Sequence, residues 1–277
     1  MPHRLLGLCA AALTCWGAPG PLKIIHIGIH QIEDGPAVGD QVKFVPGETV
    51  YLSFDVENYT PNKEDSVAIS WVVDAADPKG IPIIPPAPGK KQANLTPEDK
   101  DWLPRVRQPI AVPSPAPGGN YSVHIVVTDE NTKQTAAADT RFTVAGLDLP
   151  PAKALEIRAF GFYRTEDAPQ PLMSPAYSSG DSMFARFQIA GFKYGPRNAI
   201  EVTYGISILG PAGNAMYTQD PAVEDKSASF YPKPYMDSNM SLSLNPGTKT
   251  GEYTLVITAR DKVGNQTCEI RKPFRVD

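Results

Sequence analysis

Cysteine is scarce in this chain. Of its 277 residues three are cysteine, and two of those, Cys9 and Cys15, fall in the first twenty positions. With that stretch removed only Cys268 is left. A lone cysteine closes no internal bridge, so a disulfide-stapled scaffold is excluded and a packed or half-exposed strand residue is expected. A basic excess is also missing. Twenty-six Lys and Arg face 30 Asp and Glu, a net charge of −4, which excludes the electrostatic footprint of a nucleic-acid binder or of a protein drawn to anionic membranes. After the N-terminus no run approaches the roughly 20 apolar residues of a membrane helix, so the mature chain is expected to have none.

Chemical signatures are equally thin. There is no Gly-x-Ser-x-Gly nucleophile elbow and no glycine-rich phosphate cradle. Composition alone leaves a Ser–His–Asp site open. Histidine occurs four times, at positions 3, 26, 30 and 124. His26 and His30 alternate with Ile25, Ile27 and Ile29. They share a strand face about 13 Å apart, too far for one zinc ion without a bend, and read as a solvated face. Glu33-Asp34 and Glu166-Asp167 lack the Asp-x-Asp-x-Asp spacing of a calcium loop and read as solvated turns. The sequence therefore points to no catalytic residue, no metal and no cofactor.

Proline and glycine are abundant, 29 and 22 residues, which suits short strands joined by turns and argues against long helices. The opening "MPHRLLGLCAAALTCWGAPG" has a short basic start and an apolar run from Leu5 to about Ala18, the layout of a secretory signal peptide over residues 1–19. A lipid anchor, which usually has Leu three positions before the modified cysteine, is the less favoured alternative: Cys15 has Ala12 there, and Cys9 comes too early. The expected location is secreted, periplasmic or at the cell surface.

The strongest signal is an internal repeat. A shift of 133 residues places Leu22 on Leu155, Gly28 on Gly161, "PGETVYLSFDV" (46–56) on "SGDSMFARFQI" (179–189) and "VAISWVVDAADPKG" (67–80) on "IEVTYGISILGPAG" (200–213). Nearer the end of each unit the shift is 132, and Gly119, Tyr121, Ile125, Asp129 and Phe142 meet Gly251, Tyr253, Ile257, Asp261 and Phe274. Val50, Leu52, Phe54 and Val56 alternate with Tyr51, Ser53 and Asp55, and their counterparts do the same. Period two puts each set on one face of a strand. "TDENTK" and "RDKVGN" are turn-rich and read as hairpins near each unit's end. About seven short strands per unit imply a sandwich. The expected fold is all-β, with one sandwich over 20–146, a linker over 147–153 made stiff by Pro150 and Pro151, and a second sandwich over 154–277.

The string "FVPGETVYLSFDV … DPKG … GGNYSVHIVV … TRFTV" resembles bacterial immunoglobulin-like domains of the macroglobulin type, over nearly all of the mature chain. The resemblance implies two tandem immunoglobulin-like sandwiches, with Tyr121 and Tyr253 at the fold's tyrosine corner. Val123 and Leu255 stand where an antibody domain has its second cysteine. Trp71 and Tyr204 fall where a core aromatic is expected. No Gly-Cys-Gly-Glu-Gln thioester is present, so covalent trapping does not carry over. Five N-glycosylation sequons, at Asn58, Asn94, Asn120, Asn239 and Asn265, mean little in a bacterial host, which the domain style suggests.

The repeats diverge in their loops. Between Gly80 and Ile110 the first unit carries a proline-rich segment with Trp102; the second carries "NAMYTQDPAVEDKSASFYPKPYMDSNM", with Tyr217, Phe230, Tyr231 and Tyr235. Aromatics on irregular segments of a rigid sandwich supply contact area at low entropic cost, and flat rings stack on sugars. These five are the expected binding residues, set against a purely structural role in covering a sheet edge or filling the domain contact. The expected function is a non-enzymatic, exported binding or scaffolding protein with a protein or polysaccharide partner at the cell surface. A carbohydrate-binding accessory protein is the first alternative and an enzyme or protease inhibitor the second.

Overall fold

The computed structural model describes residues 20–99, 101–146 and 150–277. The expected signal peptide and residues 147–149 of the expected linker lie outside the described residues. The fold is all-β. Sixteen strands and one 3-10 turn, Pro196–Asn198, are the regular elements among the described residues.

The first eight strands are β1 (Lys23–His30), β2 (Lys43–Phe44), β3 (Thr49–Glu57), β4 (Ser66–Ala76), β5 (Ala87–Asn94), β6 (Arg105–Ala111), β7 (Gly119–Asp129) and β8 (Thr135–Val144). They form a three-stranded sheet, β1-β3-β6, facing a five-stranded one, β2-β8-β7-β4-β5. The next eight repeat the plan: β9 (Glu156–Tyr163), β10 (Ala176–Tyr177), β11 (Ser182–Ala190), β12 (Ile200–Leu209), β13 (Ala215–Ser227), β14 (Tyr235–Ser243), β15 (Gly251–Asp261) and β16 (Gln266–Val276). Their sheets are β9-β11-β14 and β10-β16-β15-β12-β13. Among the described residues no sheet takes strands from both halves. Within each sheet all pairs are antiparallel except β2 with β8 and β10 with β16.

Alternation places the cores. Val50, Leu52, Phe54 and Val56 are fully buried on the inner face of β3, and Met183, Ala185, Phe187 and Ile189 do the same on β11. Tyr204 is in the second core, 2% exposed. Trp71 differs from its counterpart: it is only partly buried, and its ring lies on Gly89 of β5, where an added Cβ would come within 2.2 Å of the indole. The missing side chain at Gly89 makes room for the ring at the sandwich edge rather than in its centre.

The repeat holds at the level of atoms. Tyr121 donates its hydroxyl hydrogen to the carbonyl of Pro117 (2.6 Å), and Tyr253 does so to Lys249 (2.8 Å), the upstream bond of a tyrosine corner. Asp129 and Asp261, each 1% exposed, accept backbone N–H groups of the adjoining turns. His26 and Ala159 take positive φ at the same bulge, 50° and 52°. Gly80 donates to the Asp77 carbonyl, and Gly213 to that of Gly210, closing the same turn.

Candidate binding cleft between the two sandwiches

The clearest departure from the repeat is in the β13–β14 loop, residues 228–234, "ASFYPKP". Two prolines stiffen it, and its own sandwich ties it down. Tyr194 donates its hydroxyl hydrogen to the Lys233 carbonyl (2.5 Å). The Asn198 amide donates to the carbonyls of Phe230 (2.7 Å) and Ser229 (3.2 Å), and the Ser229 hydroxyl donates to the Tyr231 carbonyl (2.7 Å). A loop fixed at so many points presents Tyr231 with little ordering left to do.

Tyr231 leaves its own sandwich and enters the base of the first. It is 9% exposed and belongs to the first core. Its hydroxyl donates to Oδ2 of Asp77 at 2.8 Å, a buried bond. Asp77, 3% exposed, accepts the N–H groups of Lys79 and Ile81 on Oδ1, both at 2.8 Å. The carboxylate is thus committed to three donors, as a buried charge must be. Burial, with the Asp77 charge added, raises the Tyr231 pKa well above that of a free phenol. Neighbouring Tyr121 is pushed up to about 12 by the same two causes, burial first.

Beside this contact lies a cleft of about 450 Å³. Pro46, Ile81, Pro115 and Pro117 line it from the first sandwich, and Tyr194, Tyr231, Pro232, Pro234 and Tyr235 from the second. Its size and its site between two folded units are those of a ligand pocket. Tyr194 is 42% exposed, and Tyr235 is half-buried with the Arg158 guanidinium 5.9 Å from its ring centre. Burial raises the phenol pKa of both. Both rings are neutral at physiological pH, and the walls offer flat apolar surface to a planar or proline-containing ligand.

The five aromatics expected to bind fall in different places. Tyr231 and Tyr235 share the cleft, but Tyr231 is buried as the anchor between sandwiches rather than projecting into solvent. Phe230, 50% exposed, is adjacent in sequence but does not line it. Tyr217, 39% exposed, sits on edge strand β13 and donates to Gln219 Oε1 (2.7 Å). Trp102 is at the opposite end of the first sandwich, edge-on to Tyr59 at 5.9 Å between ring centres. Sequence reasoning did not single out Asp77 or Tyr194. Their signal was divergence between repeats, since Asp77 aligns with Gly210 and Tyr194 with Pro61.

His26, His30, His124, Asp34 and Asp167 have structural partners. His26 Nδ1 lies 3.0 Å from Asp55, whose carboxylate also accepts two bonds from Arg105. His30 bridges the Gly35 carbonyl and the Ser53 hydroxyl, both at 2.8 Å. At the equivalent place in the second sandwich Arg186 covers Tyr163 and donates to the Ala168 carbonyl, so the bridge recurs in different chemistry. His124 meets Asp139, Asp34 meets Arg107 and Asp167 accepts from Thr165. Cys268 is half-buried on β16, and burial raises its thiol pKa. Among the described residues no three His, Cys, Asp or Glu are grouped to hold a metal ion, and no helix is long and apolar enough to cross a membrane. Compared with known protein families and with curated proteins, the sequence matches none.

Proposed function

We propose that the chain is an exported, non-enzymatic binding and scaffolding protein of the cell surface or periplasm, built from two tandem immunoglobulin-like sandwiches of the bacterial macroglobulin type. One observation carries the reading. The Tyr231–Asp77 bond ties the second sandwich to the first beside a cleft walled by tyrosine and proline. Such a cleft binds by shape and aromatic contact, without chemistry, and the acid beside it is already spent on structure. The ligand it fits best is an extended, proline-containing segment of a partner protein, since aromatic grooves of this kind take polyproline-like chains at low entropic cost.

A second reading, capture of a polysaccharide, has support in Tyr194, whose ring lines the cleft and whose residue is 42% exposed. Titrating the protein with proline-rich peptides and with soluble oligosaccharides separates the two. The Tyr194→Ala, Tyr235→Ala double variant is expected to lose at least about tenfold in affinity for the peptide, or about 1.4 kcal/mol. Binding to neither probe class, or binding unaffected by the double variant, contradicts the assignment of the cleft.

A further inference from the structure

In both sandwiches the chain leaves one sheet for the other between the first two strands, from β1 to β2 and from β9 to β10. The crossing is made the same way twice. Val38 donates its N–H to the Ile29 carbonyl, and Leu172 donates to that of Phe162, both at 2.7 Å. The bond puts Val38 and Leu172 in equivalent places, and the repeat puts Ile27, Ile29 and Thr140 at the positions of Phe160, Phe162 and Lys272.

The two copies fill this place differently. In the second sandwich it holds rings. Phe160 meets Phe162 edge-on at 4.9 Å and stacks on Phe187 at 6.4 Å between ring centres. The Lys272 ammonium lies 5.3 Å from the Phe160 ring centre, and Leu172 packs on the same core. In the first sandwich every one of these side chains is replaced by a smaller one, and a hollow of about 330 Å³ opens. Ile27, Val38, Phe44 and Phe142 give it apolar walls, and Thr140 and Arg141 give it polar ones. Ile27 and Val38 are only partly buried there, whereas Phe44 and Phe142 belong to the core.

We propose that this hollow is a binding site for a small aromatic molecule, whose ring takes the place that Phe160 holds in the second sandwich. Interiors are packed tightly, and walls that face an empty hollow forfeit dispersion contacts that an entering ring restores. A cavity of about 150 Å³ already admits benzene, so this one has room for a ring with a substituent. Phe142 offers a ring for an aromatic contact, as Phe162 does to Phe160. The Thr140 hydroxyl and the Arg141 guanidinium suit a phenol or a benzoate, whose oxygen they can meet while the ring lies on the apolar walls. The site is separate from the central cleft, with which it shares no lining residue.

Isothermal calorimetry with p-cresol and with benzoate tests this. At least one probe is expected to bind with a dissociation constant below about 1 mM. Ile27→Phe returns the ring of the second sandwich to the first and is expected to weaken that binding at least about tenfold. Val38→Leu, a smaller filling that copies Leu172, is expected to weaken it in the same direction and serves if the phenylalanine disturbs folding. Neither probe binding the unaltered protein overturns the proposal. So does binding that ignores both fillings, and so does binding that is lost with the Tyr194→Ala, Tyr235→Ala pair instead, which would put the probe in the central cleft.

Discussion

Tyr231 donates its phenolic hydrogen to Asp77, 154 residues earlier in the chain, across 2.8 Å and out of reach of solvent. This bond joins two sandwiches that share no strand. Replacing Tyr231 by Ala removes the ring from the first core and leaves Oδ2 of Asp77 without that donor. Losses of this kind cost about 3–5 kcal/mol for a buried aromatic. Calorimetry is expected to show the two sandwiches melting further apart in the variant, and protease is expected to cut between them faster.

Alkaline pH tests the buried phenols. Tyr121 and Tyr177 are both pushed up to about 12, chiefly by burial. A pKa raised on folding favours the protonated folded form, so this contribution is intact below the free-phenol value of about 10 and is lost as pH climbs from there toward 12. Stability measured by urea unfolding is expected to be level up to about pH 10 and to fall steeply above it. Phenolate absorbance from these residues is expected only as the protein unfolds.

Acid pH probes Asp55 on β3. Burial alone would raise its pKa, but hydrogen bonds from Arg105 and His26 outweigh burial and hold it below the ordinary carboxylate value. A pKa lowered on folding gives stability that is present above about pH 4 and is lost as pH falls through the folded value. Arg105→Met leaves a carboxylate that is 4% exposed with the His26 ring as its remaining side-chain hydrogen-bond partner. The variant is expected to lose about 1–3 kcal/mol at neutral pH and to unfold at a higher pH on acidification.

The repeat makes its own prediction at glycine. Gly119 and Gly251 have φ of 138° and 149°, and a Cβ at either would come within 2.6 or 2.7 Å of the ring of Pro78 or Pro211. Both Gly→Ala changes are expected to destabilise by about 1–3 kcal/mol and by similar amounts, as judged by thermal unfolding. Unequal effects would mean that the two turns are not the same structure.

Much of the fold was legible in the sequence because sheet cores are written locally. Val50, Leu52, Phe54 and Val56 alternate with polar neighbours, and the same alternation returns 133 residues later. Tyrosine corners were legible for the same reason, since the bond spans four residues. The cleft was not legible. "FYPKPY" has no period, and the partner of Tyr231 lies in another unit, beyond any local pattern. Nothing in the β1 sequence marks the bulge at His26 or the Asp55–Arg105 pair, which form through register between strands. Asp77 looked like an ordinary turn residue because its backbone bonds are those of Gly210.

A double-mutant cycle on Tyr231→Phe and Asp77→Ala measures the junction most directly. If the phenol and the carboxylate hold the sandwiches together, the free energies of unfolding will be non-additive by about 1–3 kcal/mol. Additive losses, with Tyr231→Phe alone costing nothing, would contradict the account.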